Sequence, residues 1–236
     1  MKSLLSRILL LFCLFIPAHS YAYRHLSPYS YCGGDPVNCV DPSGRDVVVL
    51  NYGYLDDQHT AILIQDENGK WLYYSINGNN VYFSGEHTGG REFNDMAVGS
   101  WESPQEFMNS EYNVRPEDDK GKGDPSVNNY GFDECYLIPS TPEQDEIMRN
   151  CFTEAAKTEY NLINNNCTTI VQDVLIKAGI PVSKPRFEPS YIPVATPYGI
   201  VDVYNGTQMQ CDVILLPSEA FKSIKSYNPN GTPITK

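Results

Sequence analysis

Histidine is scarce in this 236-residue chain, with four in all, and tryptophan scarcer, with two. Lys and Arg together number 17 against 29 acidic residues, a formal net charge of −12. A surface of that sign is repelled by phosphate backbones, so nucleic acid is not expected as a partner. The acidity otherwise favours solubility and names no partner. No Cys/His group has the spacing of a zinc site, so neither a metal nor another cofactor is expected. No internal repeat is visible. Beyond residue 22 no apolar run is long enough to cross a bilayer, so stable membrane insertion is not expected of the mature chain.

What is present begins with a leader-like N-terminus. Lys2 and Arg7 precede an apolar stretch from Ile8 to Pro17, and small-x-small patterns follow at Ala18-His-Ser20 and Ser20-Tyr-Ala22. Residues 1–22 therefore read as a secretory signal, with a secreted or periplasmic destination. The competing reading is an uncleaved anchor, which the shortness of the run disfavours. Losing Lys2 and Arg7 and no acidic residue takes the net charge from −12 to −14. Export permits disulfides. Of the seven cysteines, Cys13 lies in the leader, and Cys32 and Cys39 are close enough in sequence to pair. Cys135, Cys151, Cys167 and Cys211 follow, with Cys151 in an apolar helical stripe that suits a buried small hydrophobe. If Cys167 is free, an odd number of mature cysteines is left, so at least one more is free.

Strand signals open the region after residue 45. Val47–Leu50 is a β-branched run, and residues 56–65 form a second strand. Asp66-Glu-Asn-Gly-Lys70 is a hairpin turn, and Trp71–Asn77 is the return strand. Residues 78–131 read as polar loop, with an acidic insertion at 117–124, and residues 133–138 as another strand. Thr141-Pro-Glu-Gln144 is a helix start with N-cap, Pro and capping-box residue in place. A second helix is expected over about 167–178, with Ile170, Val171, Val174, Leu175 and Ala178 as its buried stripe and Gly179 and Pro181 as its stop. Residues 181–236 are Pro-rich and read as an irregular extension, except for a strand at Cys211–Leu216. The fold class is α+β, a small antiparallel sheet packed on a cysteine-bearing helix.

Cys167 follows a polar run, Asn164-Asn-Asn166, and starts that second helix. Free N–H groups and the helix dipole favour a thiolate there. A nucleophilic thiol needs a base held within reach, and the mature chain offers His25, His59 and His87. His25 precedes the domain, and His87 lies in a glycine-rich stretch. His59 opens an apolar strand, which positions a side chain better than a loop does. If Glu67-Asn68-Gly69 is a three-residue loop with Gly in the left-handed region, Asp66 pairs with Lys70 and His59 faces Asn77. His59, Ala61, Leu63, Tyr73, Ser75 and Asn77 then share one face, and Ile62, Ile64, Leu72, Tyr74 and Ile76 the other. A two-residue Asn-Gly loop would reverse the faces. The apolar segregation favours the first register, with Asn77 as first candidate to orient His59 and Ser75 as second. The plainer reading of Cys167 is a buried structural thiol, and that of Asn77 a turn residue beside Gly78.

Two resemblances rest on these residues. Tyr29, Tyr31, Pro36, Asp41, Pro42 and Gly44 have the spacing of the motif that closes the Rhs-repeat core, although the repeats are missing and a leader stands in their place. That family carries variable C-terminal domains after the motif, commonly toxins, which implies an immunity protein as a partner. His59 on a strand, a polar residue on the next strand and Asn166-Cys167 at a helix start resemble the circularly permuted NlpC-type, papain-like hydrolases over roughly residues 46–180. That resemblance implies Cys167 as nucleophile, His59 as base and Asn77 or Ser75 as third member. The expected organisation is a signal at 1–22, the Rhs-type end motif at 23–45, the papain-like domain at 46–180 and an extension at 181–236. The expected activity is hydrolysis of peptide or other amide bonds through a thioester. An acyltransferase or lipid-directed hydrolase, and an inactive binding module on the same fold, are the alternatives.

Overall fold

The computed structural model describes residues 45–53, 58–77, 82–84, 94–113, 130–158, 160–161, 163–196 and 199–235. All belong to the unit spanning residues 41–236. The leader, the motif at 29–44, His25, His87 and the acidic insertion lie outside the described residues.

The fold is α+β and is built on one seven-stranded sheet. In chain order its strands are β1 (Asp46–Tyr52), β2 (His59–Gln65), β3 (Trp71–Ser75), β4 (Tyr82–Ser84), β5 (Asn94–Trp101), β6 (Glu134–Pro139) and β9 (Thr232–Thr235). They are ordered β4-β5-β3-β2-β1-β6-β9, and every pairing is antiparallel except that of β4 with β5. Four helices accompany them among the described residues: α1 (Pro104–Asn109), α2 (Pro142–Ala156), α3 (Cys167–Lys177) and α4 (Pro217–Tyr227). None is long and apolar enough to cross a membrane.

The β2–β3 register is the one the turn chemistry predicts: Ile62 faces Tyr74, Leu63 faces Tyr73 and Gln65 faces Trp71. Gly69 takes φ 78°, a conformation glycine adopts without steric cost. The Asp66 carboxylate locks the loop by accepting from the backbone N–H groups of Asn68 and Lys70, each at 2.8 Å.

Both faces of the sheet are buried. Val47, Val49, Ile62, Ile64, Tyr74 and Ile76 pack against α2, α3 and α4 through Met148, Phe152, Val171, Leu175, Phe221 and Ile224. Val48, Leu50, Ala61, Leu63 and Tyr73 pack on the opposite side against Phe107, Met108 and Phe132. The hairpin therefore has no wet face. The cover on the second side comes from 94–113 and 130–132, nearly all of it within residues 78–131, the stretch read from sequence as loop.

The helix termini follow their sequence signals. Thr141 caps α2 in a reciprocal box with Gln144. Gly179, at φ 79°, ends the turn after α3, and the Ile180 N–H reaches back to the Leu175 carbonyl at 2.8 Å.

The C-terminal extension departs from the sequence expectation. It is not irregular: a long ribbon, β7 (Arg186–Thr196) with β8 (Gly199–Gln210), precedes α4, and β9 then joins the main sheet beside β6. The ribbon hides no apolar face, so it lacks the alternation that would have marked it. Cys211–Leu216 is not a strand. Its Ile214 is held by the buried Gln172 side chain of α3, which accepts from Ile214 N–H at 2.9 Å and donates to its carbonyl at 2.7 Å.

Candidate active site

The asparagine run before α3 shapes the site locally. Asn161 Oδ1 accepts from the N–H groups of Ile163 and Asn164, closing a turn. Asn165 Nδ2 donates to the Thr158 carbonyl beyond α2 at 3.0 Å. Asn166 is the N-cap, its Oδ1 accepting from Thr168 N–H and Thr169 N–H at 2.9 Å each. Two of the helix-terminal donors that an oxyanion would use are thereby occupied by the cap.

Cys167 is the first residue of α3, and its thiol is free, as are those of Cys135, Cys151 and Cys211. It is only 7% exposed. Burial pushes the thiol up from its ordinary value, against opposing hydrogen bonds from Thr60 N–H, the Thr168 hydroxyl and N–H, and its own N–H. Desolvation thus outweighs the helix terminus, and the resting group is a thiol rather than the thiolate expected from position alone. Thr168 Oγ1 lies 3.7 Å from the sulfur and 3.3 Å from Thr60 Oγ1, tying the helix start to β2.

His59 occupies the first position of β2, one residue from Thr60. Successive residues of a strand point to opposite faces. Thr60 therefore meets α3, whereas the His59 ring stacks on Tyr130 at 3.8 Å between centroids and 5° between planes, with Phe132 beyond. Its enclosure holds the imidazole down at about 3, so the ring is neutral. Among the described residues no hydrogen bond joins the Cys167 sulfur to the His59 ring. Cys167 meets β2 at Thr60, the residue after His59, and is not coupled directly to the imidazole.

The polar residues beneath His59 form a continuous chain. His59 Nε2 and Ser75 Oγ are 2.7 Å apart. The Ser75 hydroxyl donates to Asn77 Oδ1 at 2.6 Å, and Asn77 Nδ2 donates to Asp95 Oδ2 at 2.9 Å. Tyr130 OH also donates to Asn77 Oδ1, at 3.4 Å, and Asn77 N–H donates to Asn94 Oδ1 at 2.8 Å. Ser75, the second candidate, is thus the residue that meets the ring, and Asn77 stands one step behind it.

Asp95, Asn94, Tyr130 and Thr168 escaped the sequence reading. Asp95 arrives through irregularity in β5. From Trp71↔Trp101 to Tyr73↔Val98, and again to Ser75↔Asp95, β3 advances two residues while β5 advances three. These two bulges contain Gly99 at φ 72° and Ala97 at φ 54°. Continuing the first pairing without them would put Ala97 opposite Ser75. A left-handed alanine is a strained feature of the kind that gathers at functional sites.

Compared with family models, with curated proteins and with solved structures, the chain matches none. Among the described residues no group of His, Cys, Asp and Glu is arranged to hold a metal ion.

Proposed function

We propose that the protein is a cysteine-dependent acyl-transfer enzyme, a hydrolase of peptide or other amide bonds with Cys167 as nucleophile and His59 as base. The observation that carries this reading is the pairing of a free thiol on the first turn of a capped helix with a neutral imidazole, one strand position from the thiol's Thr60 contact, backed by a buried polar chain. Cys167 Sγ forms a bond to the carbonyl carbon as its proton passes to His59. The C–N bond then breaks, the amine takes that proton and leaves, and water hydrolyses the thioester. Cys167 N–H is the helix-terminal donor not claimed by the Asn166 cap, and it is the first candidate to face the oxyanion.

Because the thiol and the imidazole are both buried and not hydrogen-bonded to each other, the reaction requires them to be brought together when substrate binds. The permuted papain-like order, the leader and the Rhs-type motif extend the proposal to an exported toxin with an immunity partner. The decisive experiment is turnover of peptide and amide substrates by wild type, Cys167→Ala and His59→Gln. Both variants should be inactive, and full activity in Cys167→Ala sinks the reading.

A non-enzymatic binding module is the second reading. The absence of a Cys167–His59 hydrogen bond among the described residues and the raised thiol favour it. Under that reading no substrate traps a thioester on Cys167, which intact-mass measurement after incubation with activated esters tests directly.

A further inference from the structure

We propose that Asp95, which does not touch the imidazole, is a positioning residue that sets which His59 nitrogen carries the proton. The inference assumes nothing about the reaction, but it rests on the proposed function for its catalytic meaning.

A carboxylate oxygen that carries no proton only accepts hydrogen bonds, and Asp95 Oδ2 accepts from Asn77. Asn77 must therefore turn its Nδ2–H toward Asp95 Oδ2, 2.9 Å away, which leaves Oδ1 facing Ser75. The reverse orientation would set the amide oxygen against the carboxylate. Tyr130 OH, donating to the same Oδ1, supports the same orientation. With Oδ1 2.6 Å away, Ser75 commits its one hydroxyl proton to Asn77. Ser75 Oγ can then only accept from His59, whose Nε2 is 2.7 Å away. A neutral imidazole holds one N–H, so the proton sits on Nε2 and the lone pair on Nδ1. His59, Ser75 and Asp95 are buried and Asn77 is partly so, which makes an inverted link costly. The paired bulges in β5 that bring Asp95 rather than Ala97 opposite Ser75 give this irregularity a purpose.

The test is ¹⁵N NMR of the full chain labelled at histidine, with His59 assigned by His59→Gln. Wild type should show a protonated Nε2 and an unprotonated Nδ1. Asp95→Asn can present an N–H to Asn77, so it should release the orientation and give a mixture of tautomers. Ser75→Ala should do the same, whereas Ser75→Thr, which keeps the hydroxyl, should retain the wild-type tautomer. A wild-type His59 protonated on Nδ1 would falsify the proposal, as would an unchanged tautomer in folded Asp95→Asn. If Asp95→Asn does not fold, the Ser75→Ala and Ser75→Thr pair decides, and an identical tautomer in both overturns it. The same spectrum in Cys167→Ala should be unaltered. Loss of the tautomer lock and loss of the enzymatic reading are therefore separate results.

Discussion

Ser75 and His59 are bonded across a diagonal of the β2–β3 hairpin, with Oγ and Nε2 2.7 Å apart. Directly across from Ser75 lies Ala61, by continuation of the observed register. Ala61 puts only a methyl group beside that diagonal. Removing the hydroxyl leaves a buried ring N–H without its partner, which costs about 1–3 kcal/mol. Ser75→Ala should lower stability to denaturant by that amount, and Ser75→Thr by less. An unfolding midpoint for Ser75→Ala equal to wild type would show that the ring finds another acceptor.

The pH dependence of stability should carry two opposed contributions. His59 is held down at about 3, below its unfolded value of 6.5, so the unfolded state binds the extra proton between those values. Stability is therefore lost as pH falls from about 6.5 toward 3, by roughly 5 kcal/mol at most. Asp145, buried beside Ser140, is raised from 3.8 to about 6, so its contribution is present below 3.8 and lost as pH rises toward 6. Its size is of the order of 2 kcal/mol once solvent screening is allowed for, and would be larger without Ser140, Arg149 and Arg45, which pull the carboxyl back down. Denaturation curves from pH 3 to 8 should flatten at the acid end in His59→Gln and lose the decline between 4 and 6 in Asp145→Asn. Parallel curves for all three proteins would contradict both assignments.

The bulges in β5 predict opposite outcomes for two small substitutions. Ala97, at φ 54°, should gain about 1 kcal/mol on replacement by glycine, because the left-handed region penalises a Cβ. Gly99→Ala should be strongly destabilising, since an added Cβ would stand 2.2 Å from the Trp101 ring as well as at φ 72°. Thermal melts of the two variants test the pair. A destabilised Ala97→Gly would mean that the alanine methyl contributes more by packing than its conformation costs.

Cys167 should be slow to react in the resting protein. With a thiol pushed up by burial and 7% exposure, it should alkylate well behind the half-buried Cys151 and Cys211 at neutral pH. Peptide mapping after timed iodoacetamide treatment gives the order. Asn166→Ala, which frees the Thr168 and Thr169 N–H groups, should cost about 1 kcal/mol of stability and raise the labelling rate. First labelling at Cys167 in wild type would show an accessible thiolate instead.

Much of the site was legible because its elements obey local rules. The Asp66–Lys70 turn and the segregation of Ile62, Ile64, Leu72 and Tyr74 specify the hairpin register, and with it the face shared by His59 and Ser75. The Asn166 cap and the Gly179 stop bound α3. Asp95 was hidden because two extra residues in Asn94–Trp101 destroy the period of two by which strands are read. Direct cross-strand pairing points to Asn77 as the partner of His59, whereas the imidazole reaches diagonally to Ser75. The β7–β8 ribbon was missed because it alternates against nothing, with Tyr191, Ile192, Ile200 and Val203 all exposed.

The burial of β2 over its whole length has a consequence for motion. A strand in mid-sheet with apolar cover on both sides opens only when the domain unfolds, so the amides of Ala61 to Ile64 should be among the last to exchange with deuterium. His59 and Thr60 stand at the end of that slow segment, where β1 still pairs with them but β3 has stopped. Local loosening confined to this corner could expose both the imidazole and the start of α3 while leaving the slow-exchanging centre untouched.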